Sequence, residues 1–201
     1  MGYKLCPRCE LNYIDENESL CSVCANAHIT SSASSKPVIH HKNHSIFMVF
    51  QGKDYLNELT KGYIMAPYYD KGGHSPAHWA MLENVHVGDI IFHGVAQSIV
   101  AISLAKSGCY DSKNANGDDC RKVDCKPVLL HNPLITKQFE KQIIDTCTRF
   151  IYQPFDKNGN GRQGYLFDLN DELAGVFARD AVANNKDLLQ KLPEINDLLI
   201  L

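Results

Sequence analysis

The chain has 201 residues, 44% of them hydrophobic and 21% charged, with a formal net charge of −3. That length supports one core with room for a small appendage, and the composition is that of a globular chain rather than a disordered one. No apolar run approaches the roughly 18 residues of a membrane span, and the negative balance argues against an indiscriminate polyanion binder, whose affinity comes mainly from phosphate neutralisation.

The opening "MGYKLCPRC" lacks the apolar h-region of a secretory signal. The eight cysteines are therefore read as reduced thiols or metal ligands, and the cytoplasm as the compartment. Cys6-Pro-Arg-Cys9 and Cys21-Ser-Val-Cys24 are two Cys-x-x-Cys knuckles. Four thiolates at this spacing close a tetrahedron around one structural zinc ion, and the metal supplies folding free energy that so short a segment cannot draw from apolar burial. The prediction is a zinc ribbon over 1–29 with a hairpin in the intervening "ELNYIDENESL". A closed four-cysteine site leaves no open coordination position, so no catalysis is expected there.

Residues 30–44 open with "TSSASSKPV" and read as a linker. Within it "HHKNH", His40 to His44, holds the residue types of an HNH nuclease. They stand in successive linker positions rather than on a hairpin and a helix, and are read as a solvated stretch that gains charge as pH falls.

A globular domain is expected over 45–180. "SIFMVFQG" predicts a buried strand, and "DYLNELTKGY" a helix closed by Gly62. "GDIIFHG" and "SIVAISLA" predict two strands joined by a short turn at Val95 to Gln97. "KVDCKPVLL" predicts a third, demoted by Pro127 to an edge or a bulge. "TKQFEKQIIDTCTRFI" predicts an amphipathic helix with Phe139, Ile143, Ile144 and Cys147 on one face. "DKNGNG" from Asp156 opens like a calcium loop, but Phe167 stands where the bidentate glutamate belongs, so a tight polar turn is expected. "LNDELAGVFARDAVANN" predicts a helix with Asn170 as N-cap and Leu173, Val176 and Phe177 on its buried side. Residues 181–201 form a C-terminal helical extension whose apolar end, Leu198 to Leu201, must pack on its own barrel or on a partner. The sum is an α+β fold around a small, barrel-like sheet.

Cys109, Cys120, Cys125 and Cys147 with His131 fit no compact metal knuckle and read as ordinary thiols. No Ser/His/Asp order, Walker glycines or paired catalytic carboxylates can be argued from these residues, which favours a binding module over an enzyme.

The stretches "GYIMAPYYDKGGHSPAHWAMLENVHVGDIIFHGVAQSIVAIS", "GCYD", "KVDCKPVLLHNP" and "GNGRQGYLFDLNDEL" together resemble the EVE domain, a member of the PUA-like superfamily related to YTH readers. The resemblance covers residues 46–179. Its most specific pieces are Trp79 ahead of Gly88-Asp89, the strands "IIFH" and "IVAIS", and Gln163-Gly164-Tyr165. It implies a small twisted β-barrel flanked by helices that reads a modified base flipped from DNA. Such a domain serves as the specificity module of a modification-dependent restriction or antiviral defence system, with any nuclease activity on another domain or partner. An extruded base needs flat apolar walls and a few polar groups for its Watson–Crick edge. The resemblance implies Met65, Ala66, Pro67, Trp79 and Tyr110 as walls and His93 and Asp111 as hydrogen-bonding groups, while Arg162 and Gln163, beside glycines, are read as phosphate contacts by analogy with loop-borne donors. Met65 stands where related readers carry a tryptophan, replacing a ring with a polarizable thioether.

Other readings stay open: a reader of modified RNA, a nuclease or base-modifying enzyme, or a protein-interaction module. Trp79 also reads as a packing indole, Tyr68 and Tyr69 as surface aromatics, and Gly88-Asp89 as a turn.

Overall fold

Period-two apolar runs and two amphipathic helical stretches set the frame. The structure, a computed structural model, describes residues 3–5, 13–15, 17, 44–53, 55–147 and 153–201, and the chain divides into two units, Met1–His41 and Lys42–Leu201. In the first unit β1 (Tyr3–Leu5) pairs antiparallel with β2 (Tyr13–Asp15), Leu5 opposite Tyr13. By sequence, the first Cys-x-x-Cys pair falls in the connection between these strands, and β2 lies between the two knuckles. The four cysteines, and so the expected zinc site, lie outside the described residues.

The second unit runs β3 (Ile46–Phe50), α1 (Tyr55–Lys61), β4 (Tyr63–Pro67), α2 (Ala77–Ala80) with a 3-10 turn at Met81–Asn84, β5 (Ile90–Val95), β6 (Ser98–Ala105), β7 (Tyr110–Lys113) and β8 (Asp119–Ile135). A 3-10 turn at Thr136–Phe139 leads into α3 (Glu140–Cys147), followed by β9 (Leu166–Asp168), α4 (Asp171–Asn184), α5 (Leu188–Lys191), a 3-10 turn at Pro193–Ile195 and α6 (Asn196–Leu199). The sheet order is β4-β8-β6-β5-β3-β9, with β7 also paired to β8. This is a mixed α+β fold. None of the helices among the described residues is long and apolar enough to cross a membrane.

Strand β3 is apolar throughout and β5 nearly so, with His93 its one polar side chain, because both their faces are covered. Ile46, Met48, Ile90 and Phe92 join one core cluster, while Phe47, Val49 and Ile91 point the other way into a second. Asn170 caps α4 as expected, its side chain accepting from the Leu173 amide at 2.9 Å, and Leu173 and Phe177 are buried. The C-terminal residues belong to this unit's core: Leu188, Leu192, Ile195 and Leu198 sit in the same cluster as Phe92 and Phe177, and α4 itself runs across position 180. The apolar end therefore packs on its own unit, leaving Ile200 exposed.

The third expected strand differs from its prediction. β8 is 17 residues long and lies inside the sheet, its first half between β4 and β7 and its second half against β6. Pro127 pairs opposite Ser103 of β6, past the end of β4. The missing donor thus falls where β8 has a neighbour on one side alone, which is the local edge a proline tolerates.

Candidate binding site

Strand β4 sorts its residues by alternation: Ile64 and Ala66 are buried, while Tyr63, Met65 and Pro67 are half-buried on the opposite face. Ala66 is therefore core, at 1% exposure, and not a wall. Met65 stands opposite Lys122 of β8, which stands opposite Tyr110 of β7. The Lys122 ammonium lies 4.7 Å from the Tyr63 ring centroid and 5.7 Å from that of Tyr110, whose hydroxyl donates to Asp124 at 2.8 Å. Met65 and Tyr110 thus share an outer row around a lysine, and Met65 faces a cavity of about 490 Å³ with Lys61, Lys122 and Glu58 on its walls.

Pro67, Trp79 and Asp111 do come together. With Tyr68 and Tyr69 they line an open cavity of about 950 Å³ between the end of β4, helix α2 and the β7–β8 turn. Trp79 is the chain's single tryptophan. It is half-buried, packed against the second core cluster, with the His78 ring edge-on at 5.7 Å. His78 Nδ1 accepts the Tyr165 amide at 3.1 Å, and burial lowers the His78 pKa. The packing-indole and cavity-wall readings of Trp79 therefore both describe it.

One wall is held by a buried arginine. Arg121 donates through Nε to Glu83 at 2.6 Å and lies 4.1 Å over the Tyr68 ring. The Tyr68 hydroxyl donates a short hydrogen bond to Asp111, and that bond is the main reason its pKa is pushed up to about 12. Tyr68 therefore remains a donor at neutral pH. The rest of the rim is acidic. Asp70, Asp118 and Asp119 join Asp111, against one cation, Lys71. The Asp70 carboxyl is held below its usual range by backbone hydrogen bonds, foremost from His74 and then Gly72.

His93 lies in the core with no exposure. Its neighbours form a directional chain. The Glu58 carboxylate only accepts, so the Gln51 amide nitrogen faces it at 2.5 Å and Gln51 Oε1 faces His93 Nδ1 at 2.8 Å. His93 must then donate from Nδ1 and accept the Ser103 hydroxyl on Nε2 at 2.6 Å. Burial lowers the His93 pKa to about 3, which keeps this neutral tautomer. Tyr165 extends the chain, donating to Glu58 at 3.2 Å and accepting the Met65 amide at 2.9 Å, so it pins β4 to the sheet's body.

Arg162 lies elsewhere, on a cavity of about 270 Å³ with Phe50 and Gln97, while Gln163 is exposed and lines none of these three cavities. The other motifs are structural. Asp89 accepts the amides of Ser45 and His86 at 2.8 Å each, closing a turn, and Asp156 accepts those of Asn158 and Asn160, closing the expected polar turn. Cys120 and Cys125 are buried free thiols, and burial pushes Cys125 up to about 12. Among the described residues no group of three or more His, Cys, Asp or Glu side chains could hold a metal ion.

Sequence reasoning did not include Tyr68, Tyr69, Asp118 and Asp119 in the pocket. The usable signal was the "NANGDD" turn, which folds β7 back along β8 and brings Asp118 and Asp119 to the cavity.

No family model and no curated protein matches the chain. Among solved structures it is similar to a structural-genomics protein of Pseudomonas putida, at 10% identity and a TM-score of 0.47 over 68% of this chain and 99% of that one. It is also similar to a Rhodopseudomonas palustris protein solved by NMR, at 14% identity and a TM-score of 0.40 over 63% and 85%.

Proposed function

We propose that the 42–201 unit is a reader of a modified base in nucleic acid, DNA foremost, and that the Trp79 cavity receives the base. One observation carries this reading: Pro67, Tyr68, Tyr69 and Trp79 meet Asp111 of β7 on a single open cavity. Aromatic walls suit the face of a base, and stacking on one aromatic contributes about 1 to 3 kcal/mol. The carboxylates of the rim accept and cannot donate, so they favour an edge rich in N–H groups, such as the exocyclic amine of a cytosine- or adenine-type base. They also repel phosphates, which requires the base to be extruded into the cavity while its backbone stays outside.

The resemblance to EVE domains supports the remainder: closure of the sheet as a PUA-like barrel, a cytoplasmic role as the specificity module of a restriction or antiviral system, and cleavage by a partner or another domain. For the N-terminal unit we infer one structural zinc ion on Cys6, Cys9, Cys21 and Cys24, supported by their spacing. Elemental analysis should find about one zinc per chain.

The test of the reader is competition among duplex DNAs carrying different base modifications, plain duplex and single-stranded RNA. A preference for one modified DNA that Trp79→Ala and Asp111→Asn abolish, in proteins that still melt cooperatively, supports it. A preference for modified RNA moves the polymer, and equal binding of all probes removes the reading.

A further inference from the structure

We propose a second site, for a small organic phosphate the size of one mononucleotide, in the cavity between the β5–β6 turn and residues 155–162. Its charge is opposite to that of the Trp79 cavity. The floor is apolar, with Met48, Phe50 and Phe155. The rim carries Lys137 and Arg162 beside the neutral Gln97, Ser98 and Asn160, and no carboxylate lines it among the described residues. At about 270 Å³ it is too small for a polymer and suited to one flat ring with its anionic group.

The cation is held in place before any ligand arrives. Arg162 donates its backbone amide to Pro154 at 2.8 Å and its Nε to Phe155 at 3.1 Å. The nearby Asp156 carboxylate is engaged by the amides of Asn158 and Asn160. The charge of Arg162 also helps, as a lesser cause, to hold the Asp156 carboxyl below its usual range. The guanidinium is thus oriented, with its Nη groups left to meet an oxyanion beside the amide-bonded Asp156 carboxylate, and Lys137 is shared with Glu140.

The opposite wall is rigid as well. Ala96 and Gln97 both take positive φ, 45° and 64°, in a two-residue hairpin turn. That conformation favours Asn-Gly, and a non-glycine pair persists there when its surroundings over-determine it. Both the amide and the hydroxyl of Thr136 donate to the Gln97 carbonyl at 2.9 Å, so the turn that presents the Gln97 side chain is fixed. Phe50 is in turn wedged against Gly94 and Gly161, where a Cβ would come within 2.7 Å and 3.3 Å of its ring. The two glycines leave open the space over this floor.

The class of ligand follows from an apolar floor, an oriented guanidinium and neutral hydrogen-bonding groups: a flat ring bearing a phosphate. Its source is either a free nucleotide or the 5′-phosphate end of a strand. Titration calorimetry of the full chain with adenosine monophosphate, adenosine, inorganic phosphate, and a short single strand with and without a 5′-phosphate separates these. Saturable binding of the monophosphate, at least tenfold tighter than adenosine and weakened at least tenfold by Arg162→Gln, supports the site. Phosphate-dependent binding of the strand at higher affinity names the strand end as the source, and its absence names the free nucleotide. Gln97→Gly, which relieves the turn, should weaken binding several-fold in a protein at least as stable as the parent. No saturation by any phosphorylated probe, or affinities unchanged by Arg162→Gln, would overturn the proposal. The Trp79 fluorescence should not respond to the monophosphate, so failure of this site and failure of the base reader are told apart.

Discussion

Two cavities of the same unit combine aromatic side chains with opposite charge. Around Trp79 four aspartates face one lysine, whereas the cavity around Phe50 is lined by a lysine and an arginine and, among the described residues, by no carboxylate. The first is assembled from two stretches, 67–79 and 111–119; the second draws on four, 48–50, 94–98, 136–137 and 155–162. On the two proposals the difference separates two tasks that one pocket would perform poorly. An acidic rim selects donor edges and rejects phosphate, while a cationic rim captures phosphate and leaves the ring to an apolar floor.

The hardest blow to the acidic side should come from Arg121→Ala. It removes the Glu83 pair and the cation over Tyr68 and leaves a void at a side chain only 8% exposed. Breaking a fully buried pair costs more, but Glu83 can rehydrate, so about 2 to 3 kcal/mol is expected in denaturant unfolding. Oligonucleotide discrimination should fall with it while nucleotide binding near Arg162 persists. Loss of both would show that the two regions are not independent.

The body that carries both cavities should be sensitive to acid. His93 ionises near 6.5 when unfolded but near 3 in the fold. The unfolded chain therefore binds more protons between those values, and stability is full above about 6.5 and declines as pH falls towards 3. Between pH 7 and pH 5 the loss should be about 2 kcal/mol, with His78, shifted in the same direction, adding to it. His93→Asn should flatten most of this slope in chemical denaturation, and an unchanged slope would remove His93 as its source.

Gly94→Ala sharpens the contrast from the other side. Its Cβ would fall 2.7 Å from Phe50 Cδ1 and 3.0 Å from Met48 Cε, an overpacking cost of about 1 to 2 kcal/mol. Nucleotide binding should be lost while modified-base recognition by the Trp79 cavity survives. The smallest expected effect is that of Asp118→Asn on the acidic rim. Melting should not move, but binding of plain DNA should rise roughly two- to fivefold at low salt as repulsion is relieved.

What the sequence made legible followed periodicity and local chemistry. The "SIFMVFQG" strand, the α1 helix closed by Gly62 and the Asn170 cap each depend on neighbours within a few residues. Position 127 was legible only in part, because a proline signals a local edge and says nothing of how far the strand continues on either side. The site was partly legible too. Pro67, Trp79 and Asp111 were grouped on resemblance and do share a cavity, yet Ala66 and His93 lie in the core. Alternation decides that, since one step along β4 turns a side chain from wall to core. Arg162, read as a phosphate contact, lines a different cavity from Trp79, which a linear sequence does not show because it does not record which glycine-rich turn lies beside which strand.

The most direct test of the reader uses its own probe. Trp79 is the chain's only tryptophan and lines the cavity assigned to the base, so tryptophan-selective fluorescence reports that cavity alone. Titration with an oligonucleotide carrying the preferred modified base should quench or shift the emission saturably, with plain oligonucleotide producing at most a small change at the same concentration. Binding of the modified strand seen by calorimetry with no change in Trp79 emission would contradict the assignment.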